Sequence, residues 1–257
     1  MMLKARDPNP YQFSGNFGYR LHANCPMMDN QRITKEEIAR GYDLITEKVG
    51  LEPAFYDACL SVHGDYYGKI LDIGCGRGFL LRKLSQIARS GTKFFGLDIS
   101  SKLCQIAQEN NPEARIIRGD AEVMPYPENS FDFVFMTEAL EHMLDYHKAL
   151  SEVRRVLKPG GIFIVTVPNR DWLRYDYYDK IRKKDLQPVD DHYFRFQEIK
   201  TLLEKNFFKI LKYRGMDNLW YYGSIHKLEM AAAFFLPFLH RKMKRLLFKC
   251  YKSTNNE

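Results

Sequence analysis

The chain has 257 residues, of which 45% are hydrophobic and 28% are charged. This is the composition of a globular protein with a full core, and it excludes a disordered chain or a small domain that depends on disulfides. The net charge of +7 suits anionic lipid or nucleic acid, but it is also compatible with solvated surface. Five scattered cysteines lack metal-binding spacing, and the N-terminus has no apolar leader core. Both features predict a reducing, cytoplasmic environment.

The first 64 residues are interpreted as an N-terminal cap segment. Residues 1–30 show no period and are predicted to be irregular. Thr34 and Glu37 have the spacing of a helix capping box, and helical spacing follows them. A second short helix is predicted from Pro53 to Ser61.

Residues 65–215 are predicted to form the main domain, an α/β domain with a doubly wound parallel sheet. From Lys69 to Val167, β-rich runs alternate with amphipathic helices, which is the order of a parallel sheet with helices on both faces. The runs are apolar almost throughout, as in strands covered on both faces: KILDI, KFFGLDI, ARIIRG, FDFVFM and GIFIVTV. The run FKILKYRGM is predicted to add a further strand.

A glycine-rich turn follows the first predicted strand in KILDIGCGRGFLLRKL. The strand ends at Asp72, and Gly74, Gly76 and Gly78 then lead into a helix. Glycine allows a sharp bend and the close approach of a ligand because it has no Cβ. A helix N-terminus also favours a carboxylate or phosphate. A purely structural turn has a similar sequence, whereas a dinucleotide site would complete GxGxxG, which this chain does not.

Acidic residues follow the next two predicted strands. Asp98 ends the second strand, where a carboxylate can accept both hydroxyls of a ribose. The alternative is a helix cap, a role that Ser100 or Ser101 would fill equally well. Asp120 follows the third strand, where it is either an acceptor for an adenine amine or an ordinary turn residue. Open α/β sheets bind ligands at such strand ends.

The runs DIGCGRG, GLDIS, GDAEVMPYPENSFDFVF and RVLKPGG resemble, in order and spacing, the motifs of class I S-adenosylmethionine-dependent methyltransferases. The resemblance covers roughly residues 65–168 and points to the type 11 and ubiquinone-biosynthesis O-methyltransferase groups. It implies a Rossmann-like, mostly parallel seven-stranded sheet with N-terminal cap helices, and S-adenosyl-L-methionine as cofactor. The residues that the resemblance assigns to the methionine, ribose and adenine contacts are, in chain order, Asp72, Gly74, Gly76, Gly78, Asp98, Asp120, Ala121 and Thr137.

The run TEALEHM places Glu138, Glu141 and His142 at i, i+3 and i+4, which share one face of a helix. Two carboxylates and an imidazole suit a hard divalent cation such as Mg²⁺. The run resembles the ExxEH segment of ubiquinone-biosynthesis O-methyltransferases and of small-RNA 3′-end ribose methyltransferases, where two glutamates and two histidines hold a metal. His192 would then be the fourth ligand. The alternatives are that the glutamates line or cap the pocket, or that His142 or His192 is a catalytic general base.

The segment 170–195 follows the fifth predicted strand and is long enough to be a lid insertion over the acceptor. Its side chains would either line an aromatic pocket with a nearby cation or pack on the sheet edge as a surface excursion. The candidates are Trp172, Arg174, Tyr175, Tyr177, Tyr178 and Lys180. Aromatic residues of the N-terminal segment are expected to cover the same edge: Tyr11, Phe13, Phe17 and Tyr19.

Residues 216–257 are predicted to be a C-terminal amphipathic helical extension. The run from Met230 to Leu239 is apolar, but it is too short to span a bilayer, and Pro237 interrupts it. With the basic residues that follow, it would suit peripheral contact with a membrane. The alternative is a helix packed on the domain with its basic side in water.

These features predict a methyltransferase that acts on oxygen in a small molecule, lipid or glycan. The choice of oxygen depends on the resemblance of TEALEHM. RNA 2′-O-ribose methylation is the alternative reaction, but nucleic acid is disfavoured as a partner because no stacking platform for bases is evident. A non-catalytic, membrane-associated cofactor-binding scaffold is the alternative class, and the intact glycine turn argues against it.

Overall fold

The structure, a computed structural model, describes residues 33–51, 53–172, 175, 188, 192–217 and 237–253. Seven strands within these residues form one sheet: β1 Lys69–Ile73, β2 Lys93–Asp98, β3 Arg115–Arg118, β4 Phe131–Thr137, β5 Leu157–Pro168, β6 Phe208–Met216 and β7 Arg245–Lys252. The α-helices of the same part of the chain are α1 Lys35–Leu44, α2 Pro53–Leu60, α3 Phe79–Ile87, α4 Ser101–Asn110, α5 Tyr146–Val156 and α6 Phe196–Lys205.

The strand order is β3-β2-β1-β4-β5-β7-β6. The first five strands in this order pair in parallel, and β7 pairs antiparallel with both β5 and β6. The order reverses at β1, with β2 and β3 on one side and β4 on the other. The predicted Rossmann-like, mostly parallel seven-stranded sheet is therefore confirmed.

The central strands are buried on both faces, as their apolar sequences predict. Along β4, Phe133 and Phe135 pack on the face that carries α2 and α3. Val134 and Met136 pack on the opposite face with α5 and α6. Because side chains of a strand alternate between faces, one apolar run fills two cores.

The parallel strands β1 to β5 all end at one edge of the sheet, and this edge carries the polar residues identified in the sequence. The start of β7 lies at the same edge because β7 runs in the opposite direction, and Arg245 is in register with Pro168 of β5. The N-terminal helix α1 begins with the predicted capping box, in which Thr34 N donates to Glu37 Oε2 at 2.8 Å.

The C-terminal prediction of a helical extension is wrong for residues 245–252. This segment is a strand inserted between β5 and β6. Leu246, Leu247, Phe248 and Cys250 are fully buried, because a strand flanked on both sides needs apolar residues on both faces. The basic residues between and beside them led the sequence to be interpreted as an amphipathic helix.

No helix among the described residues is long and apolar enough to cross a membrane. The apolar run predicted to contact a membrane lies mostly in residues 218–236, outside the described residues. Its peripheral membrane contact stays a prediction.

Candidate functional site

A cavity of about 290 Å³ opens at the carboxyl edge of the parallel strands. Of the eight residues predicted to bind the cofactor, seven line it: Asp72, Gly74, Gly76, Asp98, Asp120, Ala121 and Thr137. Gly78 is not among the described lining residues. Its φ of 77° starts helix α3, and a Cβ there would lie 2.3 Å from Asn111 Nδ2. Gly78 therefore shapes the turn from behind the cavity.

The glycine turn is held open by backbone geometry. Gly74 and Gly76 have φ values of 68° and 52°, in the left-handed region that disfavours side chains. A Cβ on Gly74 would lie 2.6 Å from Ala139 Cβ. The amide groups of Gly74 and Cys75 both donate to Leu97 O, at 2.8 and 3.1 Å. The turn is thus tied to β2, and its inner face is bare backbone.

Asp72 lies beneath the turn as a buried carboxyl group. It is 1% exposed, and its Oδ1 has no hydrogen-bond partner among the described residues. Burial, followed by the nearby Asp98 carboxylate, raises the pKa of Asp72 well above its usual value. A positively charged ligand group beside Asp72 would satisfy this oxygen and favour its ionised form.

Asp98 connects the turn to the next helix. Its Oδ2 accepts from Gly76 N at 2.8 Å, and its Oδ1 accepts from Ser100 N at 2.9 Å. Burial raises its pKa in spite of these backbone hydrogen bonds. Ser100, rather than Asp98, caps helix α4 by accepting from Leu103 N at 3.0 Å. Each carboxylate oxygen of Asp98 keeps a second lone pair for a ligand hydroxyl.

Asp120 takes part in a turn and also faces the cavity. Its Oδ1 accepts from Glu122 N at 2.9 Å and lies 3.3 Å from Lys35 Nζ. The turn role and the ligand role were alternatives in the sequence. The structure shows the turn and leaves Asp120 at the cavity wall.

The loop after β4 does not form the helical face predicted for TEALEHM. Glu138 has a left-handed φ of 49°, and only Leu140–His142 forms a short 3₁₀ turn. The Glu138 carboxylate is held by Thr166 Oγ1 at 2.9 Å and Arg245 Nε at 2.6 Å. Among the described residues, no group of three or more His, Cys, Asp and Glu side chains is placed to hold a metal.

The described residues therefore give no support to the predicted metal set of Glu138, Glu141, His142 and His192. His192 Nε2 lies 2.7 Å from Glu198 Oε1, and its ring packs 4.4 Å from the ring of Phe194. It is not among the described lining residues of the cavity, so the structure gives no support to a catalytic role. Glu138, Glu141 and His142 do line the cavity, and the base role of His142 stays a prediction.

Arg245 is the main site residue that the sequence did not reveal. Its side chain is 15% exposed, pairs with Glu138 and Asp217, and lies 5.3 Å from the centre of the Phe55 ring. Arg245 and the preceding Lys244 both line the cavity. The sequence signal for Arg245 was a charged residue at the start of an apolar run, which would indicate a strand end. This signal was missed because the run was interpreted as a helix.

Aromatic residues form part of the cavity wall beyond the glycine turn. Trp172 is 5% exposed and lines the cavity, which agrees with the first of the two alternatives for the lid segment. The ring of Tyr42 meets that of His142 at 5.9 Å, edge to face. Tyr193 also lines the cavity and packs 4.9 Å from Tyr175. Other predicted members of this wall lie outside the described residues: Tyr11, Phe13, Phe17, Tyr19, Arg174, Tyr177, Tyr178 and Lys180.

Comparison with known proteins agrees with this geometry. Residues 71–165 match a family described as a methyltransferase domain, and this stretch contains the glycine turn and the acidic strand ends. Over these residues the chain is similar to class I S-adenosylmethionine-dependent methyltransferases. The bare turn, the unsatisfied Asp72 oxygen and the Asp98 carboxylate fit the cofactor of that family.

Two relatives of known reaction are similar in part. Sterol 24-C-methyltransferase ERG6B of Gibberella zeae is 33% identical over 150 residues, which are 55% of this chain and 34% of that protein. Demethylmenaquinone methyltransferase of Staphylococcus aureus is 35% identical over 99 residues, 37% of this chain and 41% of that protein. The chain therefore spans less than half the length of either relative.

A solved structure shows how far the fold itself is shared. The [4+2]-cyclase SpnF has a TM-score of 0.62 at 19% identity, and the match covers 86% of this chain and 97% of that chain. Because a cyclase shares this fold, the architecture alone does not determine the reaction.

Proposed function

We propose that this chain transfers the methyl group of S-adenosyl-L-methionine to a small, largely apolar acceptor. The Asp72 carboxyl group carries the proposal, because its buried Oδ1 has no hydrogen-bond partner among the described residues. Such an oxygen is costly to bury unless a ligand supplies a donor or a positive charge. The ammonium group of the cofactor is a partner of this kind, and the glycine turn leaves room for it.

Other residues of the cavity would hold the rest of the cofactor. Asp98 offers acceptor lone pairs to the ribose hydroxyls, and Asp120 offers one at the end of β3 to the adenine amine. When bound, the cofactor supplies a methyl group that its sulfonium has already activated. The chain then has to hold the acceptor in line with that group and exclude water.

The acceptor side of the cavity favours a hydroxyl group on an apolar body. Trp172 and Tyr193 provide aromatic surface, and the Glu138 carboxylate is fixed in place by Thr166 and Arg245. Each oxygen of a carboxylate can accept more than one hydrogen bond. We therefore propose Glu138 as the group that accepts the proton that a hydroxyl acceptor releases.

The reactions named for the relatives support an acceptor of this size and polarity. One relative acts on a sterol and the other on demethylmenaquinone. The sterol relative is a C-methyltransferase by name, so carbon is the acceptor atom to be tested beside oxygen.

The experiment has a binding step and a turnover step. Calorimetry with S-adenosylhomocysteine should show saturable binding to the purified chain. Labelled S-adenosyl-L-methionine should then transfer its methyl group to hydroxylated quinols or sterols in a panel that also contains their alkene analogues and a short RNA.

The outcomes of this experiment separate the alternatives. Transfer to alkene carbon would replace oxygen as the acceptor atom, and transfer to RNA alone would contradict the proposed acceptor class. Binding without transfer to any acceptor would favour a non-catalytic cofactor-binding protein. Absence of binding would overturn the proposal.

A further inference from the structure

We infer that Lys35 and Asp43 are cofactor-positioning residues that fasten helix α1 across the nucleoside end of the cavity. The inference rests on the proposed function, because it assigns a role to the helix that covers the proposed cofactor site. We call this helix, α1, the roof of the site. Lys35 is the first residue of α1, and Asp43 lies in its last turn. Lys35, Ile38 and Tyr42 of this helix line the cavity. The helix therefore covers it with one cationic, one aliphatic and one aromatic side chain.

The first fastening point is an ion pair between α1 and the loop that follows β3. Lys35 Nζ lies 2.5 Å from Glu122 Oε1 and 3.3 Å from Asp120 Oδ1. The Lys35 side chain is 25% exposed and that of Glu122 is 9% exposed. A pair shielded to this degree is screened less by water and salt than a surface pair.

Glu122 also links this point to the acceptor side. Its Oε1 accepts from Leu144 N at 2.9 Å and from Asp145 N at 3.0 Å, just before helix α5. One carboxylate oxygen thus receives donors from α1 and from the segment that follows the Glu138–His142 loop. Losing Lys35 would leave two neighbouring carboxylates without their shared cation at the rim of the cavity.

The second fastening point lies at the end of β2. Asp43 Oδ1 accepts from Ser100 Oγ at 2.5 Å and from Lys102 N at 3.0 Å. Ser100 N in turn donates to Asp98 Oδ1. A helix rises about 1.5 Å per residue, so Lys35 and Asp43 are about 12 Å apart along it. That length is enough to cross the ends of β2 and β3, since neighbouring strands lie about 4.8 Å apart.

Two fastened ends make α1 a roof that must be released before a bound nucleoside can leave. Lys35 and Asp43 should therefore control the dissociation rate of the cofactor more than the stability of the fold. The chain offers a matched control in Lys83, which is 26% exposed and pairs with Asp57 at 2.5 Å. Neither Lys83 nor Asp57 lines the cavity.

The test is surface plasmon resonance on the immobilised full chain, with S-adenosylhomocysteine as the probe. Lys35→Met should raise the dissociation rate on the order of tenfold, the effect of losing a charge-assisted hydrogen bond. Asp43→Ala should raise it by a similar factor. The double variant should show less than the product of the two factors, because releasing either end frees the same helix.

Three further measurements make the outcome decisive. Lys83→Met should leave the dissociation rate unchanged, and Lys35→Arg, which keeps the charge, should stay within about threefold of the parent. The melting temperature of Lys35→Met should fall further than that of Lys83→Met, because Glu122 is 9% exposed and Asp57 is 63% exposed, but the variant should stay folded at the temperature of the binding measurement. If Lys35→Met does not fold, the dissociation rate of Asp43→Ala still tests the role of α1.

Failure of the inference and failure of the proposed function look different. A parent chain that does not bind the probe overturns the proposed function. A parent chain that binds it, with unchanged dissociation from Lys35→Met and Asp43→Ala, overturns the role of α1 alone. Equal acceleration in Lys83→Met would also overturn it, because the effect would then be a general loss of stability.

Discussion

The two halves of the cavity are built in different ways. On the cofactor side, the polar groups follow consecutive parallel strands, and the contact between the ends of two of them, Gly76 with Asp98, spans 22 positions. On the acceptor side, Glu138 at the end of β4 meets Arg245 at the start of β7, 107 positions later. One half depends on local turn chemistry, and the other depends on the strand order of the antiparallel edge.

This difference indicates where substitutions should act. The cofactor half is assembled from backbone turns and buried carboxyl groups, so changes there should alter affinity more than folding. The acceptor half contains a partly buried ion-pair cluster that connects the last strand to the centre of the sheet. Changes there should alter folding first.

The largest expected effect is on stability, at Arg245. Replacing Arg245 with Met leaves the largely buried Glu138 and the partly exposed Asp217 without their cation, so the loss should reach at most the cost of about 3–5 kcal/mol that is typical of removing one partner of a fully buried pair. Denaturant unfolding of the free chain measures this change. Arg89→Met is the matched control, because it removes a two-contact ion pair with Asp65 that is exposed to solvent. Equal loss in both variants would show that Arg245 does not stabilise the acceptor half specifically.

A smaller effect, on affinity, is expected at Asp98. Asp98→Ala should weaken binding of S-adenosylhomocysteine by about 1.5–3 kcal/mol, the range for a charge-assisted hydrogen bond, and calorimetry measures it. Asp132→Ala is the control, since Asp132 accepts from Lys69 N at 2.8 Å and Lys158 Nζ at 2.7 Å at the opposite edge of the sheet. Unchanged affinity in Asp98→Ala would contradict its contact with the ribose.

The smallest expected effect is a pH dependence of binding that comes from Asp72. Burial and the Asp98 carboxylate raise the pKa of Asp72 in the free protein, so its protonated form is favoured there. Its contribution to folding stability is lost as the pH rises through that raised pKa. The cofactor ammonium favours the ionised form instead. Binding should therefore release up to about one proton, and the affinity for the cofactor should rise as the pH rises toward the raised pKa of Asp72.

Calorimetry in buffers of different ionisation enthalpy counts the protons released on binding. Asp72→Asn should abolish the part of the release that belongs to this residue. If proton release is the same in the parent and in Asp72→Asn, the ammonium group does not lie beside Asp72.

Much of the cofactor half was predictable from the sequence, because its features are local. The bounds of β1 and α4, and the polar strand ends at Asp72, Asp98 and Asp120, follow from short runs of residues. The left-handed turn at Gly74 could also be predicted from the sequence, because glycine tolerates that backbone conformation without steric cost. The helical interpretation of TEALEHM failed because Glu138 takes a left-handed conformation that its spacing did not predict.

By itself, the sequence determined the parallel core of the sheet, the glycine turn and the carboxyl groups around it, because periodicity and turn chemistry act within a few residues. The position of the last strand was decided by tertiary structure alone. Residues 245–252 have both apolar and basic character. They form a strand because their insertion between β5 and β6 buries the apolar side chains on both faces of that strand. That insertion brings Arg245 into contact with Glu138, and no local sequence pattern predicts this contact.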